Sequence, residues 1–250
     1  MSIFRLVRKT RRILIPVFVF LALIVSSWLL FSPRDSSQDR PFRGQAESVW
    51  IQGLKYRDED QVKEWRTYGD EGVRVLIRAL DRANHPYERV YRKAWRRTLH
   101  FVWRILPAPR PDSTRVTRMC VTDLLSRLSK DAKIAEPAMA REITDENSSV
   151  RAIALTYFTA GEDQNTLLNQ MDAKEKRRLL PLFIAAMKDD DWSVRNNALV
   201  ALNYYPEESQ LVVPVFVKVL QDPAFPQLHG LAAKYLKQMD PAAAAKADVK

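Results

Sequence analysis

Three histidines, His85, His100 and His229, lie scattered along a chain of 250 residues. There is no His-x-x-x-His, no paired cysteine, no Gly-x-Ser-x-Gly and no glycine-rich phosphate loop. Metal-assisted and nucleophilic chemistry therefore have no constellation to work with. We expect a non-catalytic chain with no metal, no cofactor and no small-molecule substrate. The single cysteine, Cys120, cannot close an internal disulfide and reads as a small core residue in Met119-Cys120-Val121. Asp189, Asp190 and Asp191 could draw a cation. Three adjacent carboxylates ahead of an amphipathic run are more simply N-capping groups facing the helix dipole. Asn147-Ser148-Ser149 fits an N-glycosylation acceptor, which matters only in a eukaryotic secretory lumen.

Charge is the chemical feature that stands above this background. The net charge is +10, and it is unevenly spread: residues 1–33 carry +5, residues 34–134 carry +8, and residues 135–250 carry −3. Between Arg74 and Arg118 there are twelve basic and three acidic residues. On a helical wheel Arg89, Arg92, Lys93, Arg96, Arg97, His100 and Arg104 gather within about 140°, with Trp103 among them. Together with Arg74 and Arg78 on the preceding helix they form a possible surface for an anionic partner, where guanidiniums bind phosphate or carboxylate and the tryptophan stacks. The competing reading is a solvated face whose arginines pair with carboxylates of neighbouring segments.

The elements that position these residues are helices. Six glycines in 250 residues leave few turns or bulges, which favours long helices over many short strands. From Gly72 the apolar residues recur with helical period: Val73, Val75, Leu76, Ile77, Ala79, Leu80 and Ala83 share one side, and Arg74, Arg78, Asp81 and Arg82 the other. A second amphipathic run spans Tyr87 to Leu106 and is stopped by Pro107, Pro109 and Pro111. Short helical runs alternate with polar turns from there to Met239.

At the N-terminus, Arg5, Arg8, Lys9, Arg11 and Arg12 precede nineteen residues without a charge, Ile13 to Phe31. At about 1.5 Å per residue such a helix covers roughly 28 Å, close to the ~30 Å hydrocarbon thickness of a bilayer. The basic flank places the N-terminus in the cytoplasm. The expected organisation is a basic cytoplasmic tail over 1–12, a transmembrane signal-anchor helix over 13–31, a polar linker over 32–46, a helical repeat domain over 47–240 and a disordered tail over 241–250. The repeat domain then lies outside, on the periplasmic face of the inner membrane if the cell is bacterial. The alternative is secretion after cleavage of a signal peptide, with Val25 and Ser27 as the small residues.

Internal repetition appears when "DENSSVRAIAL" from Asp145 is set against "DDDWSVRNNAL" from Asp189. One offset of 44 matches Asp145 to Asp189, Val150 to Val194, Arg151 to Arg195 and Leu155 to Leu199. A third unit, "LQDPAFPQLHGLAAKYL", aligns at an offset near 33 and loses the Val-Arg pair. This pattern resembles the HEAT-repeat family, in which a first helix, often with a proline, ends at an aspartate and a Val-Arg opens the second. Pro137, Pro181 and Pro214 would mark the first helices. The resemblance implies an all-α solenoid of helical hairpins, in which Asp145, Arg151, Asp189 and Arg195 form a ladder along the turns. It implies a binding surface for a protein partner rather than a catalyst.

The expected role is a membrane-anchored helical-repeat scaffold that binds another protein on the outer side. The alternative is a basic-faced domain that binds lipid head groups, a cell-wall polymer or nucleic acid. Topology is directly measurable. A reporter fused after Lys250 that works only after export should be active, and one that works only in the cytoplasm should be silent; the opposite pair of results overturns the orientation.

Overall fold

The structure, a computed structural model, describes residues 39–84, 90, 114–128, 132–161 and 165–247. The apolar segment 13–31 and most of the basic run 87–106 lie outside the described residues. Among the described residues no helix is long and apolar enough to cross a membrane. The chain divides into two compact units, Met1–Ala46 and Glu47–Lys250.

In the first unit, β1 (Pro41–Phe42) and β2 (Gln45–Ala46) form an antiparallel hairpin. Its two-residue turn places Arg43 at φ 50° and Gly44 at φ 81°. Positive φ at both central residues gives the turn a twist that matches the strands, and glycine supplies the second at no steric cost. The end of the expected polar linker is therefore ordered locally by a turn, although its sequence has no apolar alternation.

The second unit is helical among its described residues. Its elements are α1 (Glu47–Gln52), α2 (Glu59–Thr67), α3 (Gly69–Asn84), α4 (Arg115–Arg127), α5 (Glu136–Glu142), α6 (Ser148–Thr159) and α7 (Leu167–Gln170). There follow α8 (Ala173–Ala186), α9 (Trp192–Leu202), α10 (Ser209–Gln221), α11 (His229–Met239) and α12 (Pro241–Lys246). The expected disordered tail is thus partly helical. Asp240 caps α12 by accepting from the Ala243 amide at 2.9 Å, and Pro241 sits in its first turn, where its missing N–H is not needed.

Several of the later helices begin where a short polar side chain takes up an orphan amide. Thr114 caps α4, Asn147 caps α6 and Asp191 caps α9. Asp172 and Glu175 form a reciprocal capping box on α8. Of the aspartate triplet, Asp191 is the N-cap, accepting from the Ser193 amide at 2.8 Å. Pro181 in α8 and Pro214 in α10 are exposed, which keeps each missing donor out of the core.

Packing repeats with the sequence. α5 packs on α6, α8 on α9 and α10 on α11, while the second helices α4, α6 and α9 lie side by side. Val150 and Val194, Ala154 and Ala198, and Leu155 and Leu199 are all fully buried, so the matched positions fill equivalent places between hairpins. An edge-to-face chain of rings joins successive hairpins: Tyr157 to Phe158 at 5.1 Å, Phe158 to Phe183 at 5.5 Å and Phe183 to Tyr205 at 6.0 Å. At the other end, Trp50, Trp65 and Tyr68 cluster at 5.6 to 6.3 Å. Gly72 allows this cluster to close, because a Cβ there would stand 2.7 Å from that of Tyr68.

Core truncation should therefore be costly at the repeated leucine. Leu199→Ala removes a fully buried side chain between hairpins and is expected to destabilise by about 2–5 kcal/mol. Leu155→Ala should fall in the same range, as read from urea titrations followed by circular dichroism; a loss under about 1 kcal/mol for both would show that these positions are not the inter-hairpin core.

Candidate functional site

The acidic turn before each second helix is built the same way three times. In the turn before α6, Asp145 Oδ1 accepts the Asn147 amide at 2.7 Å; before α9, Asp189 Oδ1 accepts the Asp191 amide at 2.9 Å; before α11, Asp222 Oδ1 accepts the Ala224 amide at 2.9 Å. Each of these carboxylates also receives an arginine from the hairpin before it. Arg118 on α4 donates to Asp145, and its other nitrogen reaches Glu146 at 3.1 Å. Arg151 on α6 holds Asp189 with two hydrogen bonds of 2.7 Å. Arg195 on α9 holds Asp222 at 2.7 Å.

Arginine also closes its own turn. Arg151 donates to the Asp145 carbonyl at 2.9 Å, and Arg195 donates to the Asp189 carbonyl. In the third unit the residue six beyond Asp222 is Leu228, and His229 takes over that contact, with Nε2 2.9 Å from the Asp222 carbonyl.

Burial grades the three rungs. Side-chain exposure is 1% and 0% for Arg118 and Asp145, 19% and 13% for Arg151 and Asp189, and 17% and 31% for Arg195 and Asp222. Burial pushes the Asp189 carboxyl up, but the hydrogen bonds from Arg151, the Asp191 amide and the charge of Arg195 together leave it below the ordinary carboxylate value. The Asp222 carboxyl is also lowered, chiefly by the Ala224 amide, against a smaller push from burial and with help from Arg195.

With the second helices held side by side, their outer faces and one loop enclose a groove. Its first compartment, about 560 Å³, is lined by Tyr56, Arg57, Arg66, Asp123, Arg127 and Gly161 among others. The second, about 410 Å³, is lined by Trp192, Ser193, Asn196 and Asn197 of α9, with Asp191 and Ser149. Tyr56, Arg57, Ile153 and Thr156 line both, so the compartments are continuous.

The Tyr56-Arg57 loop is fixed by α4, where the Arg57 amide donates to Asp123 Oδ2 at 3.0 Å and Arg127 Nε meets the same oxygen at 3.2 Å. Arg57 holds φ 59°, a left-handed conformation rare outside glycine. Asn197 ties the groove floor by donating to the Ala152 carbonyl at 2.8 Å and the Thr156 hydroxyl at 3.0 Å. Trp192 is 44% exposed and Tyr56 40%. Gly161 closes one end at φ 157°, where a Cβ would fall 2.4 Å from the Asn165 carbonyl oxygen.

The residues singled out in the sequence separate here. Asp145, Val150, Arg151, Asp189, Val194 and Arg195 form the core and rungs between hairpins. Arg74 is exposed on α3. Arg78 is engaged: with Arg82 it clamps the buried carboxylate of Glu47, its Nε at 3.1 Å and Arg82 Nη1 at 3.1 Å. Arg89, Arg92, Lys93, Arg96, Arg97, Trp103 and Arg104 lie outside the described residues. Sequence reasoning did not find Arg118 as a rung, although it follows Asp112 by six, the spacing of the other two pairs. Nor did it single out Arg57 or Trp192. Among the described residues no cluster of histidine, cysteine, aspartate and glutamate could hold a metal.

Residues 179–204 match the HEAT repeat family model, a stretch that takes in the second half of α8, the Asp189 turn and α9. No curated protein and no solved structure matches the chain.

Burial predicts an order of cost along the ladder. Arg118→Met leaves the carboxylate of Asp145 buried and uncompensated, for about 3–5 kcal/mol; Arg151→Met should cost less, about 1.5–3 kcal/mol, and Arg195→Met least. Because the folded Asp189 carboxyl is depressed, its contribution is present above the unfolded value near 3.9 and is lost as pH falls through the lower folded value. Chemical denaturation between pH 7 and 2 should show stability falling on the acid side, less steeply in Asp189→Asn; equal costs for the three arginines would break the assignment of rungs by burial.

Proposed function

We propose that this chain is a helical-repeat scaffold that binds another protein through the groove across α4, α6 and α9. The observation that carries the reading is the groove itself. It crosses three stacked second helices, it is floored by Ile153 and Thr156, and Trp192 and Tyr56 stand exposed along it. Aromatic side chains with one wet edge supply contact area at low entropic cost and are enriched where proteins meet. The similarity of residues 179–204 to a HEAT repeat supports the same reading, since hairpin arrays act chiefly as extended binding surfaces.

The membrane address belongs to this proposal. Segment 13–31, with its basic flank, would hold the repeat unit at the bilayer with the groove on the outer side, through a single N-terminal helix. A partner in the cell envelope then meets a scaffold confined to a surface, which raises its effective concentration without any added contact.

A second reading keeps the basic run of 74–104 as a surface for lipid head groups, a wall polymer or nucleic acid. It is favoured by Arg74, exposed on the outer side of α3, and by the excess of basic residues in that stretch. The two readings are separated by placing a photo-crosslinking residue at Trp192 or at Leu211, which is exposed on α10 away from the groove. Crosslinking of a discrete protein from position 192 and not from 211, retained when Arg89, Arg96 and Arg104 are changed to glutamate, is the expected result. Crosslinking abolished by that triple change, with steep salt dependence, would instead place the partner on the basic face.

A further inference from the structure

The guanidinium of Arg57 differs from its neighbours in the groove. Arg127 is committed to Glu59 and to Asp123, whereas Arg57 makes no ion pair among the described residues. It is exposed and lies 5.2 Å over the ring of Tyr56. Its backbone is held in a left-handed conformation by the bond to Asp123 and is followed at once by the Asp58 cap of α2. Such conformations cost energy and persist where the surroundings enforce them. Here they aim a cation from a fixed root over the junction of the two compartments, with one guanidinium face on a ring and the in-plane donors left for a ligand.

We propose that the groove takes an extended acidic segment of a partner protein, with a carboxylate on Arg57 and an apolar side chain against Trp192. This deepens the scaffold reading above and rests on it. Three arguments select the occupant. A planar guanidinium recognises a carboxylate through paired hydrogen bonds, and Arg57 has that valence to give. Next, Ser149, Ser193 and Asn196 line the second compartment, and the side-chain oxygen of Asn196, whose Nδ2 donates to Asn197, has no donor among the described residues. An extended segment carries backbone amides that such groups can satisfy, whereas a helix has already spent its own. Three helices spaced by ~8–10 Å span about 16–20 Å, the reach of five or six extended residues at ~3.3 Å each.

The third argument is negative. Asp123 and Asp191 also line the groove. A polyphosphate backbone passing along it would meet carboxylates as well as Arg57, so a chain with one or two well-placed acids fits better than a nucleic acid.

Selection from a displayed library of random decapeptides on the full-length protein tests this. Enriched peptides should share an aspartate or glutamate at a fixed spacing from an apolar or aromatic residue. Arg57→Glu should weaken the best acidic peptide at least tenfold, about 1.4 kcal/mol, and should select lysine or arginine at that position with an unchanged thermal midpoint. Trp192→Ala should relax the apolar preference and keep the acidic one. Peptides enriched without an acidic preference, or with one indifferent to Arg57→Glu, overturn the inference and leave the scaffold reading standing. Failure to enrich any peptide removes the groove as a peptide site and both readings with it. A ten-nucleotide RNA that binds more tightly than every selected peptide replaces the acidic segment with a nucleic acid.

Discussion

A carboxylate removed from water has to meet a cation, and in this chain the cation comes from the hairpin before. Asp145 is fully buried and is met by Arg118, which is buried with it. Taking both out of water costs several kcal/mol, recovered when geometry is good and the remaining donors and acceptors are satisfied. The amide of Asn147 on the other oxygen of Asp145 supplies part of that satisfaction. Hydrophobic contact between hairpins is strong but has no direction. Val150, Leu155 and their counterparts would accept several sliding positions; the rung accepts one. Direction, in this stack, is electrostatic.

The groove follows from that constraint. Once each arginine finds its aspartate, the second helices stand at fixed heights, and residues far apart in sequence share a wall. Asn197 can then reach the Ala152 carbonyl and the Thr156 hydroxyl on the neighbouring helix. Asp123 serves the same end at the other compartment, where one carboxylate oxygen holds both the Arg57 amide and the Arg127 guanidinium. The turn acids, from fully buried Asp145 to half-buried Asp222, align the stack, and buried Asp123 pins the loop that walls the groove.

Much of the helical order is written locally. The period of α3 and the Asp-to-Arg spacing of six are visible in the residues themselves, and Asp145, Arg151, Asp189 and Arg195 are the ones that pair. Arg118 was hidden by its helix. On α4, Val116 is 62% exposed while Arg118 is buried, so the usual sorting of apolar inside and charged outside is inverted there. A wheel drawn from one segment cannot show this, because the acid that draws Arg118 inward lies 27 residues further on. Arg78 is a similar case: it sits on the polar side of α3, yet Glu47 claims it from 31 residues away. The Tyr56-Arg57 loop is less legible still. It is set by a contact across 66 residues and by a left-handed backbone at a residue whose type gives no hint of it. The helix at 241–246, by contrast, had its Asp-Pro start signal in plain sight.

The successive turn aspartates are separated by 44 residues from Asp145 to Asp189 and by 33 from Asp189 to Asp222. Most of the difference is the connection between α6 and α8, residues 160–172, against the shorter 203–208 between α9 and α10. Both connections lie at the end of the hairpin away from the rungs. The chain thus has one edge where length is held and one where it is free to vary. Duplication, trimming or grafting of sequence at the free edge leaves the stack in step, while a residue gained or lost between a turn aspartate and the arginine six beyond it would break the contact by which that arginine closes its own turn.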